Sequence, residues 1–293
     1  MKRVLILGGG GFLGTYVREA LKGRAVVLLP SGNDRSKIYA NSGEIVIPLA
    51  FNAEKPKSLN DLLRISEPDV VLNCVAIKNT SLSTVSKDKL FKVNGSFPHR
   101  LAEAAASVGV SVVHISTDGV FSGSKGRYSE CDITDATDDY GHSKAIGELY
   151  RSKCLTIRGT FIGLPLSRGQ NGLIPWFLES VKNKQSVGGF VNYYSSGLSV
   201  RRYAYFLSLI LLLPILPEGV IHIGGQRWNK FWLLASLSER LEFNCEVRPV
   251  ERPMVDRTLN CSRFFSLFGE ESIPSREDLL AELCDDIRVR WLY

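Results

Sequence analysis

The sequence predicts an α/β chain: a doubly wound parallel sheet with helices on both faces, joined to a smaller, interleaved C-terminal domain. Three observations carry this. Short β-branched runs alternate with helical patterns through the first half of the 293 residues. Runs such as "PDVVLNC", from Pro68, are almost continuously apolar, as expected for strands covered on both faces. A glycine cluster follows the first apolar run directly, where such sheets make a tight strand-to-helix turn.

The elements follow in order. "RVLIL" reads as the first strand, followed by the glycines and a helix to about Leu21. "AVVLL" and "EIVIP" read as the second and third strands. "PKSLNDLLRIS" is amphipathic at helical spacing, and "PDVVLNC" is the next strand. A long helical region runs from about Lys87 to Ser107. Then come "VSVVHIS" as a strand, a helix carrying Tyr140, and "CLTIRGT" as another strand. Repeated strand–helix alternation requires right-handed crossovers.

After about Gly163 the pattern changes. "LPLSRGQNG" reads as loop, "LIPWFLESVKN" as helix, and "GGFVNYYSSG" as loop and short strand. "YAYFLSLILLLPIL" contains a serine and a proline and falls short of the ~20 residues a membrane span needs, so it reads as a buried helix. "GVIHIGG" reads as a strand returning to the main sheet, and "SREDLLAELCDDI" as a final amphipathic helix with a serine cap. The expected first domain is therefore 1–163, with 199–225 returning to it. The smaller domain is 164–198 and 226–293.

Composition narrows the function classes. Hydrophobic residues make up 44% and charged residues 23%, enough to bury a sizeable core. The +6 charge is dispersed, which suits a phosphate-bearing ligand better than nucleic acid. The start, "MKRVLILGGGG", has too short an apolar run for a signal peptide. The six cysteines form no CxxC pair and no zinc spacing, so they read as reduced thiols of a cytoplasmic protein with no metal. The four histidines are scattered, and His114 and His222 fall in strands as satisfied core residues.

The glycines of "LILGGGGFLGTYV" satisfy two patterns. Gly9, Gly11 and Gly14 fit GxGxxG, and Gly8, Gly11 and Gly14 form a set at three-residue spacing. Either lets a pyrophosphate approach bare backbone and meet the N–H groups of a helix start. With a strand before and a helix after, the turn points to dinucleotide binding, and the alternative is a plain tight turn. No Asp or Glu follows the second strand directly, since "VVLLPSGNDRSK" brings Asp34 late. Ser31, Arg35 and Lys37 are placed to hold a 2′-phosphate, favouring NADP over NAD, unless they are only solvated loop residues.

In "DDYGHSKAIGE", Tyr140 and Lys144 lie four apart, on one helical face. They are either an exposed pair or a proton donor with a cation that favours its phenolate. In "HISTDGVFSG", Ser116, Thr117 and Asp118 come at the carboxyl end of a strand, where ligands bind in such sheets. They are either carbonyl-binding hydroxyls or turn caps.

Taken together, the glycine turn, "NCVA", "KVNGSFPHRLAEAA", "STDGVFSG" and "YGHSK" resemble the extended short-chain dehydrogenase/reductases, in the branch similar to dTDP-4-dehydrorhamnose reductase. The resemblance implies a Rossmann-type domain, an NADP or NAD cofactor and reduction of a 4-keto nucleotide sugar. It implies Tyr140 as proton donor, Lys144 on the nicotinamide ribose lowering the phenol pKa, and Thr117 positioning the carbonyl. Gly8, Gly11, Phe12, Leu13 and Gly14 would cradle the pyrophosphate, Cys74, Val75 and Ala76 would lie along the cofactor, and Asn94 would help hold the site. Lys78, Asp118, Phe161, Arg248, Arg252 and Arg257 are candidate substrate contacts. Gly119 stands where rhamnose-forming reductases usually carry tyrosine, and Phe161 where they often carry tryptophan, which leaves the sugar open. The residue after Asp118 is not the glutamate of the related 4,6-dehydratases, which disfavours water elimination. The resemblance also admits an epimerase with tightly bound NAD, or a non-catalytic regulatory subunit. A homodimer is the assembly it implies, with no membrane or nucleic-acid partner.

Overall fold

Near-continuous apolar strands need cover on both faces, and the computed structural model supplies it. It describes residues 1–31, 43–78, 85–166, 172–268 and 273–292. The first half contains β1 (Arg3–Leu7), α1 (Phe12–Leu21), β2 (Val26–Ser31), β3 (Glu44–Ala50), α2 (Leu59–Ser66), β4 (Val70–Asn73), α3 (Lys87–Phe91), α4 (Phe97–Ser107), β5 (Ser111–Ile115), α5 (Asp139–Ile146) and β6 (Cys154–Gly159). The remainder contains β7 (Phe161–Ile162), α6 (Leu173–Lys182), β8 (Val187–Phe190), β9 (Tyr193–Ser195), β10 (Leu198–Ser199), α7 (Val200–Leu212), β11 (Gly219–Ile223), β12 (Trp228–Asn229), α8 (Lys230–Arg240), β13 (Val247–Val250), β14 (Val255–Asp256), α9 (Ser262–Phe268) and α10 (Arg276–Ile287).

The main sheet has seven strands in the order β11-β6-β5-β4-β1-β2-β3. The pairs from β6 through β3 are all parallel. The order reverses at β1, the switch point beside which such sheets bind ligands. The register places Asn73 opposite His114. At the other edge, Pro30 lies within β2 and the β2–β3 register shifts between Pro30 and Ser31, as a residue without an N–H dictates. The run "GVIHIGG" does return to this sheet, as edge strand β11.

The chain divides into two units. The first is Met1–Val120, Ala136–Arg158 and Ala204–Ile221; the second is Phe121–Asp135, Gly159–Tyr203 and His222–Tyr293. Residues 121–135, expected in the first domain, group with the second unit. Their backbone explains it: Tyr128 N donates to Thr258 O at 2.9 Å and Asn260 N donates to Tyr128 O at 2.7 Å. Pairing across that sequence separation leaves no local signature.

The first unit's core joins Leu5, Leu7 and Leu28 to Leu62 and Leu63 of α2 and to Phe97 and Leu101 of α4. The second unit's core joins Ile174, Phe177 and Leu178 of α6 to Leu233, Leu234 and Leu237 of α8 and to Leu279, Leu280 and Leu283 of α10. Helix α10 starts on the expected serine: Ser275 and Asp278 form a reciprocal capping box. The apolar run from Tyr203 lies in α7 and along the segment after it, with Tyr203, Phe206, Leu207, Ile210 and Leu211 buried. No described helix is long and apolar enough to cross a membrane. The described part of "LPLSRGQNG" forms no regular element, and its residues 167–171 lie outside the described residues.

The helical region from Lys87 to Ser107 is interrupted by a π-helical turn at Lys92–Ser96. Pro98 has no N–H to donate to the carbonyl four residues back, that of Asn94, which favours a wider turn there. The same carbonyl lies where a Cβ on Gly147 would be, 2.0 Å away, so the bare backbone after α5 packs against it.

Candidate active site

The glycine turn is built by close approach. Gly8 has φ +82°, and a Cβ there would sit 3.1 Å from the backbone of Cys74 and Val75. A Cβ on Gly14 would meet Gly8 O at 2.3 Å, and one on Gly11 would meet the same oxygen at 3.2 Å. The turn is closed by Gly11 N donating to Gly8 O at 2.9 Å. The turn is thus bare backbone packed on itself, and α1 begins with no side-chain cap on its first N–H groups. Leu13 is buried, so only its backbone can meet a ligand. Phe12 and Ser31 are half-buried. Arg35, Asp34 and Lys37 lie outside the described residues.

The loop after β4 passes this turn. Cys74 and Val75 are half-buried, and Ala76 and Lys78 are exposed. Asn73 Oδ1 accepts from Val75 N at 3.1 Å and so starts the loop. Asn94, in the π-helical turn, holds its far end: its Nδ2 donates to Ile77 O at 2.8 Å and to Ser143 Oγ at 3.0 Å, and its Oδ1 accepts from Ile77 N at 2.9 Å. The Asn94 side chain is wholly buried and ties the β4 loop to α5.

Helix α5 presents Tyr140 and Lys144. Asp138 caps it, its Oδ1 accepting from Gly141 N at 2.7 Å. A Cβ on Gly141 would meet Gly119 O at 2.3 Å, so the "STDG" loop lies directly on this helix. Gly119 and Gly141 are therefore a packing pair. Tyr140 is half-buried. Loss of hydration, reinforced by the nearby Asp118 and Asp138 carboxylates, pushes its phenol up to about 12. Lys144 Nζ donates to Ile115 O at 2.7 Å and lies 3.3 Å from His114 Nε2. Lys144 is only 1% exposed, and burial brings it down to about 8 against the opposing pull of Glu148 and Cys74. Burial likewise raises the Cys74 thiol to about 12.

The "STD" loop is held at both ends. Ser116 Oγ donates to Glu148 Oε1 at 2.7 Å, and Glu148 pairs with Arg158 at 2.7 Å, both fully buried. Thr117 Oγ1 accepts from Gly119 N at 3.0 Å and donates to Asp118 Oδ1 at 3.2 Å. Both readings of "STD" therefore bear on one half-buried hydroxyl, which at present caps its own turn. Sequence reasoning missed Glu148 and Arg158, and it read His114 only as a core residue. The buried polar tail of "YGHSKAIGE" is the one signal that could have pointed to Glu148.

The remaining substrate candidates lie in the second unit. Phe161 packs on Tyr203 at 5.1 Å between ring centroids. Arg252 is exposed, Arg248 pairs with Glu246 at 2.7 Å, and Arg257 Nη1 donates to Tyr193 Oη at 3.4 Å. No group of residues among those described could hold a metal ion.

A family model described as the RmlD substrate binding domain matches residues 1–231. The spore coat polysaccharide biosynthesis protein SpsK of Bacillus subtilis is 26% identical over 243 residues, covering 79% of this chain and 77% of that protein. The dTDP-4-dehydrorhamnose reductase of Aggregatibacter actinomycetemcomitans is 33% identical over 150 residues, covering 50% of this chain and 46% of the relative. Among solved structures, a hypothetical dTDP-4-dehydrorhamnose reductase from Sulfolobus tokodaii superposes with a TM-score of 0.77 at 26% identity, covering 93% of this chain and 97% of that one. With the family model spanning well over half of its length, this chain belongs to the RmlD substrate-binding-domain family of extended short-chain dehydrogenase/reductases.

Proposed function

We propose that this protein reduces a 4-keto nucleotide sugar with NADPH or NADH. The observation that carries the reading is a continuous line of groups in the first unit. Gly8 packs on the Cys74 backbone, Cys74 lies within electrostatic reach of Lys144, and Lys144 Nζ sits on the carbonyl at the end of β5. The line joins a bare-backbone turn to the one Tyr–Lys pair at four-residue spacing. Family membership and relatives named as reductases support the same reading.

The residues present fit a dinucleotide. Gly8, Gly11 and Gly14 let the turn fold tightly on itself and on the β4 exit, bringing bare backbone to the start of α1, and Cys74, Val75 and Ala76 form the adjoining strand exit. Ser31, with no acidic residue directly after it in sequence, favours NADPH. When bound, the nicotinamide supplies a hydride. Tyr140 supplies the proton to the sugar oxygen, and its high pKa keeps the phenol protonated until a nearby positive charge stabilises the phenolate. Lys144, released from Ile115 O toward a ribose hydroxyl, is that charge. Thr117 turns its hydroxyl from Asp118 to the carbonyl. Lys78, Asp118, Phe161, Arg252 and Arg257 are the proposed substrate contacts.

The test is a panel of 4-keto UDP-, GDP- and dTDP-sugars assayed with NADPH and with NADH. Reduction of at least one is expected. Tyr140→Phe should bind cofactor normally and lose reduction by at least ~10²-fold, the scale of a lost general acid. Full activity in that variant overturns the reading.

A further inference from the structure

Lys144 has a partner that the proposed chemistry does not use. The β4–β5 register sets Asn73 directly opposite His114, with Asn73 Nδ2 at 3.0 Å from His114 Nδ1. The Asn73 amide has only one orientation that fits, because its Oδ1 accepts from Val75 N. Its Nδ2 therefore donates, and His114 Nδ1 must accept. A neutral imidazole that accepts at Nδ1 carries its proton on Nε2. That N–H faces Lys144 Nζ at 3.3 Å. An ammonium has no lone pair to receive it, whereas a neutral amine does.

We propose that His114 is a positioning residue for Lys144: its Nε2–H is aimed at the lysine nitrogen and favours the uncharged amine beside the Ile115 carbonyl, so that the ammonium is easily drawn away when a ligand offers it an acceptor. The inference rests on the reading of Lys144 as a site residue. Glu148 and Cys74 pull the other way, toward the charged lysine. The Cys74 thiol at the end of β4 stays protonated, and Glu148 beyond α5 is neutralised by Arg158. Burial, foremost, keeps the His114 ring uncharged. Burial lowers Lys144, and the imidazole N–H aimed at its nitrogen favours the same uncharged form.

Nitrogen-15 NMR of the whole protein reads the His114 tautomer, and the Lys144 side-chain carbon shift followed against pH reads its titration. Neither requires turnover, so both are independent of whether the sugar reductase reading stands. The expected tautomer is Nε2–H. His114→Leu, which keeps the site buried and removes the donor, should make the Lys144 ammonium about tenfold less acidic, one pKa unit upward. Asn73→Leu frees the ring to reverse its tautomer and should shift Lys144 in the same direction without touching it. An Nδ1–H tautomer in the native protein overturns the proposal even where the variants fail to fold. So does a His114→Leu protein whose Lys144 titrates as before or lower, since burial alone would then account for it.

Discussion

Charged groups are handled differently in the two units. In the first, Glu148, Arg158 and Lys144 are each at most 1% exposed, and each is tied to specific donors and acceptors. In the second, the notable cations lie on aromatic faces at or near the surface. Arg227 stands 3.3 Å above the Tyr194 ring while pairing with Asp256, and Lys230 stands 3.6 Å from the Tyr193 ring centroid. Buried charges demand complete pairing and so hold a loop in one geometry, whereas cations stacked at a surface keep water and tolerate change. The difference locates rigidity around "STDG" and α5, and adaptability on the small sheet β12-β9-β14.

The sharpest test of that contrast is Arg158→Met. It strands Glu148 in the core and should cost about 3–5 kcal/mol in chemical denaturation. The double change Glu148→Leu with Arg158→Met should recover most of that loss, because no unpaired charge remains. A single change costing under ~1 kcal/mol would mean that water reaches the pair, and the contrast would fail.

Gly141→Ala probes the loop-on-helix contact. The new methyl would meet Gly119 O at 2.3 Å and Ala136 Cβ at 2.7 Å, so loop or helix must move, at about 1–3 kcal/mol. Reduction should fall with it, since the displaced loop carries Thr117. Unaltered stability and activity would show that the loop is not held there.

Lys144→Met should lose the proposed reduction and yet gain on the order of 1–3 kcal/mol at pH 7, since it removes a buried charge whose pKa has fallen from 10.5 to about 8. The sign follows from linkage. Between pH 8 and 10.5 the unfolded lysine binds more protons than the folded one, so native stability rises with pH across that window. The variant's advantage should therefore shrink as pH climbs through it. Parallel stability curves for the two proteins would contradict the assignment.

Lys230→Ala is expected to change least, about 0.5–1 kcal/mol for one stacked cation, read by denaturation. A loss as large as that of Arg158→Met would erase the distinction between the units.

The strand runs, the glycine turn, the serine-capped last helix and the Tyr140–Lys144 spacing are legible from the order of residues alone. These are set by neighbours within a few residues: apolar periodicity, backbone freedom and the helical repeat. What those side chains meet is set by the fold. His114 reaches Asn73 across 41 residues and Lys144 across 30, through the parallel register of β4 and β5 and the docking of α5. Tyr128 joins the second unit through Thr258, and Asn94 holds the β4 loop from a π-helical turn. Such partners are chosen by strand order and burial, and the energy that fixes them, the cost of leaving a buried polar group unpaired, exists only once the sheet has closed around it.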